Sequence, residues 1–175
     1  MKHAHSRKAD FDFVFPDPPL NIVLVSPEIP PNTGNIARSC AATGSRLHLV
    51  KPMGFALDNA KLRRAGLDYW DAIRVTVHES FAACRAALAG PGKWLFFTTA
   101  SPKLYTEARY KPGDVLVFGC ETKGLPEEIL AANPDACYGI PMQTQFVRSL
   151  NLSSAAAVVL YEALRQIDAR ARKMP

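Results

Sequence analysis

The chain has 175 residues, 48% of them hydrophobic and 21% charged. That is enough for one domain with its own core, and it excludes a disordered, collagenous or coiled-coil protein. Twenty-one Lys and Arg against sixteen Asp and Glu give a net charge of +5, a balance that favours polyanionic partners; no apolar run approaches the roughly 20 residues of a membrane helix.

Residues 1–18 lack a consistent period and end in prolines, which predicts an extension outside the core and a single domain over residues 19–175. The basic start (Lys2, Arg7, Lys8) is followed by no apolar stretch, so no secretory signal is expected. Residues 20–25 (LNIVLV) have the length and composition of a buried strand. A proline-rich turn follows, and residues 34–43 have helical spacing, with Asn32 or Thr33 as cap and Gly44 as stop. Residues 46–50 alternate as a strand, and residues 58–65 read as a short helix closed by Gly66. Residues 72–77 are predicted as a strand, and residues 79–89 as a helix ended by Gly90. Strands are predicted at 93–99 and 115–119, a short helix at 126–132 with Pro126 at its first position, and a last short strand at 137–140. Residues 151–172 form a long helix with basic residues towards its end. Apolar strands alternating with helices predict an α/β fold, a mostly parallel sheet with helices on both faces.

Cys40, Cys84, Cys120 and Cys137 contain no C-x-x-C, and the four histidines (His3, His5, His48, His78) no H-x-x-x-H. No metal site is expected, and the thiols are expected to be reduced, mostly buried and in the cytoplasm. Strand one is followed by SPEIPPNTGNIAR, with one glycine, where a dinucleotide-binding fold needs G-x-G-x-x-G. No phosphate-binding P-loop motif and no G-x-S-x-G nucleophile elbow occurs.

Three segments stand out at strand ends or helix starts, where open α/β sheets bind ligands. PPNTGNIAR places Asn32 and Arg38 six residues apart; with a helix starting near Gly34, Arg38 lies one turn in and points back to the mouth of strand one. The alternative is a capping Asn and a surface Arg. GCETKGLP follows the strand at 115–119, with Gly119 allowing a ligand against backbone, Gly124 a positive φ, and Glu121 and Lys123 between them. The alternative is an ordinary strand-to-helix turn. RSLNLSS opens the long last helix with more hydroxyl and amide side chains than one N-cap needs; the alternative is a variant capping box.

Together these segments resemble the three motifs of the SPOUT superfamily of RNA methyltransferases, in its 2′-O-ribose branch. The matching residues are Asn32 and Arg38; Gly119, Glu121, Gly124 and Leu125; and Ser149, Asn151, Leu152 and Ser153. With LRRAGLDYW added, the likeness is to the short tRNA (cytidine(34)-2′-O)-methyltransferases and spans residues 20–167. The resemblance implies a deep C-terminal trefoil knot, S-adenosylmethionine as methyl donor, and a homodimer with sites near the subunit interface. It also implies the ribose 2′-hydroxyl of the wobble nucleotide, in leucine tRNAs, as substrate, with the anticodon arm as partner. Carried over by position, Phe97, Gly119, Ile140 and Ser149 touch the cofactor, Arg38 is catalytic, and Asn32, Glu121, Ser149 and Asn151 position the reaction. With no separate RNA-binding domain, the basic edge at Lys61, Arg63 and Arg64 is expected to hold the RNA. Residues 38–74 carry seven basic side chains against three acidic ones.

The chain departs from the family pattern at Val147 and Ser154, and QTQFV is one residue longer than usual. Two further readings stay open on that basis, a catalytically silent RNA-binding protein of the same fold and a 2′-O-methyltransferase for another tRNA or rRNA position.

Overall fold

The first apolar run forms strand β1 (Asn21–Val25), and all five of its residues are buried. The structure, a computed structural model, describes residues 11–56 and 75–173. Among the described residues β1 is joined by β2 (Arg46–Val50), β3 (Val75–His78), β4 (Trp94–Phe97), β5 (Val115–Phe118) and β6 (Cys137–Tyr138). They form one sheet in the order β3-β2-β1-β5-β4-β6, parallel throughout. The helices are α1 (Pro30–Thr43), α2 (Phe81–Ala87), α3 (Glu127–Ala131) and α4 (Leu152–Ala171).

Side chains alternate across a strand, and here both sets are apolar. Ile22, Leu24, Leu95, Phe97, Leu116 and Phe118 point to the face covered by α1 and α4. On α4 the residues Ala156, Val159, Leu160, Ala163, Leu164 and Ile167 recur at helical spacing and supply that cover. Val23, Val25, Phe96, Val115 and Val117 point to the other face, covered by Cys84 of α2 and Ile129 of α3. The expected parallel α/β sheet with helices on both faces is therefore present.

The elements depart from expectation in several places: helix α2 is shorter than 79–89, and Pro126 is the N-cap of α3, not its first residue. Helix α1 begins at Pro30, not Gly34, and its N-cap is Ile29, without a side-chain cap of its own, rather than Asn32 or Thr33. Both prolines sit in the first turn, where a missing N–H costs nothing. The extension is partly docked: Phe13 packs against the core, the Val14 amide donates to Asp168 Oδ1 at 2.9 Å, and Arg172 Nη1 meets Asp12 Oδ2 at 2.9 Å. Strands β4 and β6 are shorter than expected. The helix expected at 58–65, with Lys61, Arg63 and Arg64, lies outside the described residues.

A polar cluster interrupts the apolar face under α2. Buried His48 Nδ1 lies 3.1 Å from His78 Nε2, and His48 Nε2 lies 3.3 Å from Asn21 Oδ1. Burial, then the neighbouring His78 and Arg46, hold the His48 pKa down at about 4. The unfolded chain therefore binds the proton first as pH falls, and stability is lost between pH 6.5 and 4. The full loss is about 3 kcal/mol at 1.36 kcal/mol per unit. Urea unfolding is expected to show this decline between pH 7.5 and 4.5, and His48→Gln is expected to remove most of the slope. A variant with the wild-type slope would place the titrating groups elsewhere.

Candidate active site

The carboxyl ends of β4, β5 and β6 converge on one cavity of about 700 Å³, bounded also by the start of α4. Ligand sites of this fold class open at this end of the sheet, and the volume is that of a small-molecule site.

The loop after β5 shapes the cavity. Cys120 and Gly124 pair back on each other, N to O, at 3.2 and 3.0 Å. Gly124 has φ 72°, and a Cβ on Gly119 would lie 1.9 Å from the Gly124 carbonyl carbon. Only glycine at both positions allows this closed loop. The loop turns Glu121 outward to α1. Glu121 Oε2 accepts from the Glu28 amide at 2.8 Å, and Oε1 accepts from the Ile29 amide at 3.2 Å and from Asn32 Nδ2 at 3.0 Å. The carboxylate thus pins the two residues that lead into α1, near the helix start where the dipole favours an anion.

The chain of hydrogen bonds continues. Asn32 Oδ1 accepts from Asn151 Nδ2 at 2.9 Å. Asn151 Oδ1 in turn accepts from the amides of Ser153 and Ser154 at 2.8 and 3.4 Å, capping α4. Each amide donates in one direction and accepts from the other, so one carboxylate fixes the orientation of both asparagines. Three segments far apart in the chain become one polar relay at the cavity edge.

Of the residues expected at the site, Phe97, Gly119, Ile140 and Ser149 line the cavity, as do Asn32, Glu121 and Asn151. Arg38 does not line it: it is exposed, two turns into α1, because the helix starts four residues earlier than expected. Sequence reasoning missed Thr98, Met142 and Leu130. Thr98 directly follows the expected cofactor residue Phe97, and Met142 lies two residues after Ile140, a positional signal that was present; Leu130 read only as a helix residue. Cys120 lines the cavity, whereas Cys40, Cys84 and Cys137 are buried. Burial pushes the Cys40 and Cys84 thiols up to about 12 and about 11, so neither is a ready nucleophile. No group of His, Cys, Asp and Glu that could hold a metal ion is found among the described residues.

Residues 19–161 match the model of the SpoU rRNA Methylase family. The chain belongs to the SpoU methylase family. A tRNA (cytidine(34)-2′-O)-methyltransferase of Methylovorus glucosotrophus (strain SIP3-4) is 55% identical over 149 residues, 85% of this chain and 96% of that protein. A solved structure concerned with 2-OH methylation of C/U34 on tRNA superposes with TM-score 0.78 at 48% identity, covering 84% of this chain and 95% of that one. An AdoMet-bound rRNA methyltransferase from Sinorhizobium meliloti superposes with TM-score 0.71 at 30% identity, over 83% of this chain and 56% of that one. Within the SpoU family the relay and the cavity acquire a chemical reading. The lining combines apolar walls (Phe97, Phe118, Leu125, Ile140) with backbone of a loop that a single Cβ would block. Such walls fit a planar base held by backbone hydrogen bonds, so the residues present fit S-adenosylmethionine.

Proposed function

We propose that this SpoU methylase transfers a methyl group from S-adenosylmethionine to the ribose 2′-hydroxyl of the wobble nucleotide, C or U34, of tRNA. The observation that carries the reading is the Glu121–Asn32–Asn151 relay closing on a cavity lined by Phe97, Gly119, Ile140 and Ser149. The names borne by the relatives at about half identity give the substrate.

Phe97, Gly119, Ile140 and Ser149 would hold the donor. Bound there, S-adenosylmethionine supplies an electrophilic methyl group. Asn32 and Asn151, locked by Glu121, orient the ribose for an in-line approach, and positioning carries much of such a reaction. Arg38 stabilises the negative charge developing on the 2′-oxygen. A guanidinium with a pKa above about 12 is a poor base, so the proton leaves to an adjacent phosphate or water. The departures at Val147 and Ser154 are compatible with activity, since Ser154 offers the relay only its backbone amide.

The family likeness further supports a homodimer, a trefoil knot in the C-terminal part, and a cytoplasmic protein acting on tRNA. Lys61, Arg63 and Arg64 are proposed to contact the anticodon arm. The deciding experiment maps 2′-O-methylation in leucine tRNA transcripts incubated with the protein and S-adenosylmethionine. Modification confined to position 34 is expected. Methylation elsewhere would reassign the substrate, and binding of S-adenosylhomocysteine and RNA without any methylation would leave a silent RNA-binding protein.

A further inference from the structure

Every residue from Gln143 to Leu150 is exposed, in a stretch that leads from the end of the sheet to the start of α4. Within it the Phe146 amide donates to the Gln143 carbonyl at 3.1 Å, a turn that ends on the phenylalanine. Phe146 is 75% exposed and its neighbour Val147 46% exposed. With Val147 and Leu150 also exposed, the stretch gathers apolar side chains at the surface, the kind of grouping that binding surfaces show. Phe146 does not line the cavity, so it lies outside the space assigned to the methyl donor.

Charge tells which partner fits. Arg148, two residues on, and Lys123 of the β5 loop are both exposed and both line the cavity. Among the described residues no ion pair or hydrogen bond engages either side chain. The acids of the rim are Glu121, committed to α1, and Glu127, in the first turn of α3. An exposed ring two residues from one rim cation, with a second cation on the same rim, is the chemistry that holds unpaired nucleotides: bases stack on the ring and phosphates meet the cations. A protein partner would gain little from Arg148 and Lys123 without carboxylates of its own.

We propose that Phe146, with Arg148 and Lys123, forms a platform for the single-stranded RNA nucleotides flanking the target ribose. The proposal rests on the RNA-methylating function above and adds the element that grips the loop beside the cavity. It assigns a role to the segment that departs from the family pattern in length.

The test is binding of an isolated anticodon stem-loop RNA, read separately from methylation. Phe146→Ala is expected to raise the dissociation constant about tenfold, the scale of one lost base stack. Phe146→Trp is expected to restore affinity, with quenching of its fluorescence on adding RNA. Arg148→Gln is expected to flatten the slope of log affinity against log salt by about 0.7. Because the ring is exposed, Phe146→Ala keeps the wild-type melting temperature, and S-adenosylhomocysteine affinity stays unchanged. Unaltered RNA affinity in a folded Phe146→Ala, with the wild-type protein binding, would overturn the platform alone. So would a shift in the monomer–dimer equilibrium on this substitution, which would make the ring a subunit contact. If the wild-type protein binds no stem-loop, the functional reading fails together with the platform.

Discussion

Glu121→Gln is expected to lower turnover about 100-fold and the melting temperature by about 5 °C. The carboxylate of Glu121 accepts three hydrogen bonds, from the amides of Glu28 and Ile29 and from Asn32. Glutamine offers one carbonyl oxygen and one NH₂. With its oxygen on Ile29 and Asn32, its NH₂ faces the Glu28 amide, donor against donor. An unsatisfied donor and a lost charge-assisted bond cost about 2 kcal/mol, which in a chain of this size moves the melting temperature by the stated amount. The larger effect on turnover follows from geometry. The donor-against-donor contact at Glu28 pushes the side chain that anchors Asn32 out of place, Asn151 follows, and displacements near 1 Å in a positioned reactant cost about 100-fold. Thermal unfolding and single-turnover methylation check both numbers, with kcat falling more than KM rises. Glu127→Gln is the control: its carboxylate also lines the cavity but holds no relay, so its melting temperature should stay at the wild-type value. Wild-type stability and turnover in Glu121→Gln would remove the relay from the mechanism.

That relay also marks how far the sequence can be read. Apolar runs announce β1 and β2, whose edges fall within one residue of expectation, because burial on both faces demands continuous apolar side chains. The start of α1 was not legible. The chain entering it is held by Glu121, 93 residues beyond Glu28, and no local pattern encodes a partner that distant. The same holds for sheet order: β5 pairs with β1 directly, although three strands separate them in the chain among the described residues. The motifs singled out Asn32, Glu121 and Asn151 one by one; that Asn32 bonds both of the others is a property of the fold. The buried His48–His78 pair left no signal at all, because the two residues sit on neighbouring strands in no recognisable spacing. Phe146 read as a loop residue, and only its 75% exposure beside the cavity-lining Arg148 gives it meaning.

Arg38→Ala is expected to reduce turnover by 100- to 1,000-fold while leaving S-adenosylhomocysteine affinity within about twofold. The magnitude is that of removing one preorganised group from a developing oxyanion. The separation of the two effects follows from where Arg38 stands. Asn32 lies on the wall of the cavity and Arg38 six residues along the same helix, about 9 Å further by helical rise. Arg38 is exposed and does not line the cavity, so under the proposed function it meets the RNA and not the methyl donor. Arg38→Lys keeps the charge but loses the planar fork, so it should recover part of the rate and not all of it. Isothermal titration with S-adenosylhomocysteine and single-turnover methylation of tRNA, run on the same preparations, separate the outcomes. Loss of cofactor affinity in step with turnover would show that Arg38 supports the fold of the site, and the charge on the 2′-oxygen would then need another partner.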